Sequence, residues 1–313
     1  MIDIVITYLN EKDEKWQKDY NYYKQKEIIT GKNRASNRQA FGAERIREWD
    51  TLKYWFRGVE KNCPWVNKVF LIVQNERQVP NWLKKDHPKL RIVYHEEYIP
   101  KELLPTFNAF TITLYIGKIK DLSETYLRCD DDFYFINPIA EDLFFKNNKP
   151  VHVDNKIPYK LFSGYELQCP AKVFYHVLNN VLLFETKFMK EKVKYGFYHL
   201  PEARLKSFEE KILDDYKEEI YNHCCHSRFR HQTNLDSVIF SDLLKICNKV
   251  EWGNPYINSS YCTLMSTVNY DDYLDKDMVC FNDTEQLDDY EKTKKKLIEF
   301  FEKKFPDKSS FEV

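Results

Sequence analysis

The chain has 313 residues, 43% hydrophobic and 31% charged, with 48 basic side chains against 49 acidic ones. That is enough apolar material for one large or two small globular domains, and it excludes a disordered tail or a membrane-embedded protein. A net charge of -1 creates no long-range field for a nucleic acid backbone, so no nucleic-acid partner is expected.

At the start of the chain, acidic Asp3 stands where a secretory leader would be basic, and the apolar run from Ile4 to Tyr8 is too short for one. No stretch approaches the roughly 20 apolar residues that span a bilayer, so a soluble, cytoplasmic protein is expected. Ile2 to Tyr8 reads as a buried strand, β-branched and ended by the polar cluster Asn10, Glu11, Lys12 and Asp13. Residues 13–50 are strongly charged and contain Gly31, Asn33, Ser36, Asn37 and Gly42, the pattern of a helix followed by a long loop. Loops of that length are uncommon unless they have a task.

Leu52, Trp55, Phe56 and Val59 then recur at helical spacing up to the break at Cys63 and Pro64. Strands are expected over 68–74 and 90–95, a helix around 109–119, and a short strand over 125–127 that runs into Asp130, Asp131 and Asp132. This rhythm predicts an α/β fold, a mostly parallel sheet flanked by helices, with the three acids at a strand's C-terminal end, where such sheets bind ligands. The pattern from Val173 to about Tyr221 is helical, as is 235–247, so a mainly helical lobe is expected over 171–247. A closing segment over 278–313 ends in an amphipathic helix over 290–305.

Only seven glycines are present and none are close together, which removes the glycine-rich dinucleotide and phosphate loops and the nucleophile elbow of α/β-hydrolases. Any bound phosphate is therefore held by side chains and metals. The eight cysteines are scattered through a core-forming chain and read as mostly free thiols. The 22 Tyr and 22 Phe read mainly as core. His223, Cys224, Cys225, His226 and His231 lack the spacing of a zinc site.

Crowded carboxylates at Asp130, Asp131 and Asp132 repel one another, and a divalent cation relieves that repulsion while binding diphosphate oxygens; the competing role is a solvated acidic turn. Asn282 and Asp283 follow an apolar segment, where Asp283 or Thr284 otherwise serves to cap the terminal helix. His199 has the chemistry of a general base and Arg230 that of a phosphate fork, although both residue types often have only structural roles.

Taken together, several segments resemble the Stealth family of sugar-phosphate transferases. They are IDIVITYLNEKDEKW; RIREWDTLKYWFRGVEKNCPWVNKVFLIV with VPNWL, LPTFNAF and LSETYLRCDDDFYFINP; YHLPEARLKSF with SRFRHQTNLD; and VCFNDTE. Four ordered blocks over nearly the whole chain are far more specific than any one of them. The sequence departs from the family pattern at Asp130, where the family usually has Asn, at Ala109, where it tends to have Ser, and at Ile112 and Thr113, where it has an Ile-Glu pair.

The resemblance implies a nucleotide-sugar-transferase-like (GT-A-like) fold forming a single catalytic domain over 1–313, with the nucleotide-sugar-binding part in 1–150. It implies transfer of a sugar 1-phosphate, from a UDP-linked hexose or N-acetylhexosamine, to a hydroxyl of a glycan or polysaccharide acceptor in capsule synthesis. Asp132, His199 and Arg230 are then the catalytic candidates, with either Asp132 or His199 as base. Asp131, Asp283 and Asn282 are candidates for holding Mg2+ or Mn2+. Thr7, Asn10, Arg47, Asp50, Arg57 and Asn108 are donor-pocket candidates, although an arginine on the helix of Arg57 often makes only a surface ion pair. Membrane-associated capsule assembly proteins are the implied partners, with the chain at the inner face of the cell membrane. A conventional metal-dependent glycosyltransferase releasing nucleoside diphosphate, and a non-catalytic glycan-binding protein, are the alternatives at this point.

Overall fold

The computed structural model of the chain describes residues 1–168, 172–190, 193–196 and 198–313. Cys169, and residues 171, 191, 192 and 197 of the expected helical lobe, lie outside the described residues. The first half of the chain forms β1 (Ile2–Thr7), α1 (Glu14–Ile29), α2 (Arg38–Phe41), α3 (Leu52–Asn62), β2 (Val66–Val73), β3 (Leu90–Tyr94), α4 (Ala109–Leu114), β4 (Thr125–Cys129) and β5 (Phe133–Phe135). The second half adds β6 (Phe145–Lys146), β7 (Lys149–His152), β8 (Lys156–Pro158), α5 (Lys172–Glu185), β9 (Val193–Tyr195), β10 (Glu202–Leu205), α6 (Lys206–Asp215), α7 (Lys217–Cys224) and α8 (Val238–Ile246). It closes with β11 (Glu251–Trp252), β12 (Ser259–Thr263), β13 (Met278–Asn282) and α9 (Tyr290–Lys304).

Five strands make the central sheet in the order β10-β4-β1-β2-β3. All neighbours are parallel except β10, which runs antiparallel to β4. Both faces of this sheet are covered, which is why β1 and β2 read as continuous apolar runs. Ile4, Ile6, Val69 and Leu71 face α3 and α9, packing with Trp55, Phe56, Phe301 and Phe305. Val5, Phe70, Ile72 and Tyr126 face the other side and pack with Phe184, Leu213 and Leu243 from α5, α6 and α8. Asp3, unusual inside a buried strand, accepts hydrogen bonds from Asn67 Nδ2 (2.8 Å), the Lys68 N–H (3.1 Å) and the Ser123 N–H (2.8 Å). It thus ties three segments together at the lower edge of the sheet.

Two expectations are corrected. The span from Val173 to Tyr221 is not uniformly helical, because residues 202–205 add the edge strand β10. Arg204 on that strand is only 1% exposed and is held by Glu202 and by Glu209 of α6 at 3.0 Å, so residues that look like a charged helix face form an internal ion network. The terminal helix is capped by Asp289, which accepts from the Lys292 N–H at 3.0 Å, and not by Asp283 or Thr284. Cys63, Cys129, Cys224, Cys225, Cys247, Cys262 and Cys280 are free thiols. Among the described residues no helix is long and apolar enough to cross a membrane.

Arg57 lies on α3 with its guanidinium on Glu312 (2.7 and 2.8 Å) and on the Phe305 carbonyl (2.8 Å). Side-chain exposures of 7% and 5% leave little solvent to screen the pair. Replacing one partner strands a buried charge, so Arg57→Ala is expected to lower the unfolding free energy by about 3–5 kcal/mol. An Arg57→Met, Glu312→Leu double variant should recover most of that loss in a urea titration.

Candidate active site

Strand order reverses between β1 and β4, since the chain proceeds from β1 to β2 on one side and returns to β4 on the other. At such a switch point the loops leaving the two strand ends diverge and open a crevice. A cleft of about 630 Å3 lies there, lined by Thr7 from β1, Asp130, Asp131 and Asp132 after β4, Asn282 at the end of β13 and Asp283 just after it. Arg45, Arg47, Arg128, His199 and Arg230 also line it.

The three acids have three different environments. Asp130 is paired with the Arg128 guanidinium. Asp132 Oδ2 accepts from the Cys280 thiol at 3.4 Å and lies 3.4 Å from His199 Nε2, whereas its Oδ1 is buried with no partner among the described residues. Asp131 is exposed to the cleft. The protein crowded around the crevice, then the charges of Asp132, Asp130 and Glu48, push its carboxyl above the ordinary range. For His199, burial favours the neutral ring, but the Asp132 carboxylate, through charge and hydrogen bonding, and Asp130 outweigh it and raise the imidazole above its usual value.

The long loop after α1 has its task here. Glu27 at the end of α1 accepts from the Ser227 hydroxyl (2.5 Å) and from the Arg228 N–H (2.6 Å). Asn33 and Asn37 both donate to the Arg230 carbonyl at 3.3 Å. Phe229 is fully buried among Tyr20, Phe41 and Phe107, which aims the next residue into the cleft. The Arg230 guanidinium lies 4.9 Å over the Phe110 ring and makes no hydrogen bond or ion pair with the described residues. Burial and then the neighbouring Arg45 push it down to about 10, which still leaves it cationic near neutrality.

Of the donor-pocket candidates, Thr7 and Arg47 line the cleft and the other four do not. Asn10 is a turn residue whose side chain accepts from the Lys12 N–H at 3.0 Å. Asp50 pairs with Lys12 and Lys294 at the surface. Arg57 serves the ion pair with Glu312. Asn108 is fully buried, capping α4 through the Phe110 N–H (3.1 Å) and donating to Asn234 Oδ1 (2.9 Å). Asp283 lines the cleft, but Arg47 approaches both its oxygens at 2.6 Å and Trp49 Nε1 donates to one at 3.2 Å.

Sequence reasoning misses Arg45, whose Nε is buried without a hydrogen bond and 3.7 Å from Glu44. The available signal is its Arg-x-Arg spacing with Arg47. It also misses Arg128, where a basic residue in the β4 run already indicates a nearby acid.

A hard divalent cation fits the oxygens of Asp131 and Asp132: one carboxyl is held up by its surroundings and then by like charge, and the other has an orphaned buried oxygen. Asp132, His199 and Cys280 also offer ligand atoms within 4.8 Å of one another. The Cys280 thiol is held protonated, by burial first and then by Asp132, so it acts as a hydrogen-bond donor and not as a thiolate ligand.

A guanidinium, Arg230, and a carboxylate–imidazole pair, Asp132 and His199, thus line one cleft at the switch point of a mostly parallel sheet. Residues 45–153 match the family model described as Stealth protein CR2, conserved region 2. The chain is 33% identical over 350 aligned residues to a capsular polysaccharide phosphotransferase WcwK of Streptococcus pneumoniae, covering 99% of this chain and 98% of the relative. It is 27% identical to the exopolysaccharide phosphotransferase cps2G of Lactiplantibacillus plantarum, covering 99% and 96%. A solved galactosyltransferase LgtC in complex with donor and acceptor sugar analogues aligns at a TM-score of 0.35 and 10% identity, over 90% of this chain and 87% of that one. The chain belongs to the Stealth family, and it is a phosphotransferase.

Arg47→Ala removes a charged group from the cleft and is expected to weaken binding of a diphosphate-bearing ligand by roughly 10–100-fold, the scale of a hydrogen bond to a charged group. Asn10→Ala should change it by no more than about twofold. Titration calorimetry on the two variants checks both.

Proposed function

We propose that the chain transfers a sugar 1-phosphate from a uridine diphosphate sugar, carrying a hexose or N-acetylhexosamine, to a hydroxyl of a glycan. A phosphodiester forms, and a nucleoside monophosphate leaves. The capsule-synthesis role of the relatives supports a polysaccharide acceptor, presented by membrane-associated assembly proteins at the inner face of the membrane. The observation that carries the reading is the Arg230 guanidinium, which makes no hydrogen bond or ion pair among the described residues and lines the same cleft as the Asp132–His199 pair.

Phosphoryl transfer needs positioning and charge stabilisation more than covalent help. Arg230, with Arg45 nearby, binds the transferred phosphate and stabilises the charge on its oxygens. His199 takes the acceptor hydroxyl's proton as the new P–O bond forms and the bond to the monophosphate breaks, and Asp132 stabilises the resulting imidazolium. Asp131 and Asp132 would hold a Mg2+ or Mn2+ ion, which when bound neutralises diphosphate charge. Asp283 holds Arg47 in place, and Thr7 and Asn282 contact the donor. The whole chain acts as one catalytic unit.

Three outcomes are expected. Incubation with Mg2+, a UDP-sugar and a glycan acceptor should release the monophosphate, identified by mass; release of the diphosphate would instead establish attack at the anomeric carbon. Arg230→Ala should lower kcat/KM by roughly 100–1,000-fold while the thermal melting profile stays that of a folded protein. Because His199 works as a base only when neutral and its folded value is raised, the acidic limb of the rate–pH profile should lie above 6.5. Asp132→Asn should move that limb to lower pH. By the same sign, the stability that the Asp132–His199 contact contributes is present below the unfolded value and lost as pH rises through the folded one.

A further inference from the structure

Two neutral polar atoms in the same cleft have no role in the chemistry above. Gln74 follows directly on β2 and His95 follows directly on β3, so both stand at C-terminal strand ends of the central sheet, and both line the cleft. Gln74 Oε1 and His95 Nδ1 are buried without a hydrogen-bond partner among the described residues. His95 is only 6% exposed. The contrast with the neighbouring Gln78 is informative. Its side chain accepts from the Asn10 N–H (2.7 Å) and donates to the Asn10 carbonyl (3.1 Å) and to Asp13 (3.1 Å), so it serves the protein itself. Gln74 and His95 have no such use, and buried polar atoms are rarely left without one.

Their distance from the reacting end fits one part of the donor. Adjacent strands lie about 4.8 Å apart, so the ends of β2 and β3 stand roughly 10–14 Å across the sheet from the acids after β4. That is the reach of a nucleotide from its terminal phosphate to its base. Leu9, Phe107 and Ile112 line the same cleft and offer apolar surface suited to a flat ring.

We infer that Gln74 and His95 form the nucleobase subsite, and that the base it takes is uracil. The inference rests on the nucleotide-sugar reading above and adds the residues that select the nucleotide. Uracil presents an N–H flanked by two carbonyl oxygens. Gln74 Oε1 accepts from the ring N–H, the Gln74 amide N–H donates to one carbonyl, and His95, as its Nδ1–H tautomer, donates to the other. His95 suits this part because burial pushes it down to about 3, so the ring is neutral and keeps one donor nitrogen at working pH.

The test is calorimetric binding of UDP, CDP, ADP and inorganic diphosphate to the full chain with MgCl2 present, for the wild type, Gln74→Leu and His95→Asn. The wild type should bind UDP about tenfold or more tighter than CDP or ADP, because a site built to pair a polar edge rejects bases that lack it. Gln74→Leu removes both of its hydrogen bonds to the base, so it should weaken UDP by roughly 10–100-fold and leave diphosphate binding unchanged. Gln74 is partly exposed, so this variant should fold; His95→Asn is interpreted only where its melting profile is that of the wild type. Equal affinities for the three nucleotides, or an unchanged preference for UDP in Gln74→Leu, would overturn the subsite. Selective UDP binding that depends on Gln74, without monophosphate release in turnover, would uphold the subsite and overturn the phosphate-transfer reading instead.

Discussion

Three carboxylates on consecutive residues at the end of a buried strand are the constraint around which the cleft is organised. Uncompensated, they would oppose one another's ionisation in an enclosed space. The fold answers with a separate partner for each: Arg128 for Asp130, His199 and the Cys280 thiol for Asp132, and the cleft itself for Asp131. Identical side chains thereby acquire different chemistry. One is paired with an arginine, one is coupled to an imidazole, and one faces the open cleft.

The cationic side of the site depends on a second assembly of long-range contacts. Arg230 is aimed by an aromatic cluster drawn from α1, α2 and the segment before α4, and its backbone is held by two asparagines nearly two hundred residues earlier in the chain. Arg47 is fixed in the same way by Asp283 from the end of β13. Each cation is positioned by a part of the chain remote from the acids, so the cleft exists only when the two halves of the chain have packed on one another.

This arrangement explains what the sequence discloses. β1, β2, β4 and α3 are legible because burial on both sheet faces, or on one helix face, writes apolar runs of the right period. The acids after β4 are legible as a strand-end cluster. β10 is not, because an edge strand pairs on one side only and its Glu202 and Arg204 compensate each other inside the protein while looking like a solvated helix face. Arg57 and Asn108 mislead for a related reason: a buried ion pair across 255 positions and a buried cap resemble ligand contacts until their partners are known. Gln74 and His95 leave no signal, since a neutral polar residue after a strand is common and only three-dimensional packing shows that it lacks a partner.

The reversed direction of β10 decides how the imidazole reaches the acids. Because β10 is antiparallel to β4, its beginning lies beside the end of β4, and His199 is delivered to the acids from the residues that precede a strand. His152 closes the base of the intervening excursion by meeting the Ala203 carbonyl at 3.0 Å. His199 is therefore placed by strand pairing within the central sheet, so its distance from Asp132 is set by the register of β10 on β4 and is kept as long as that edge strand stays paired.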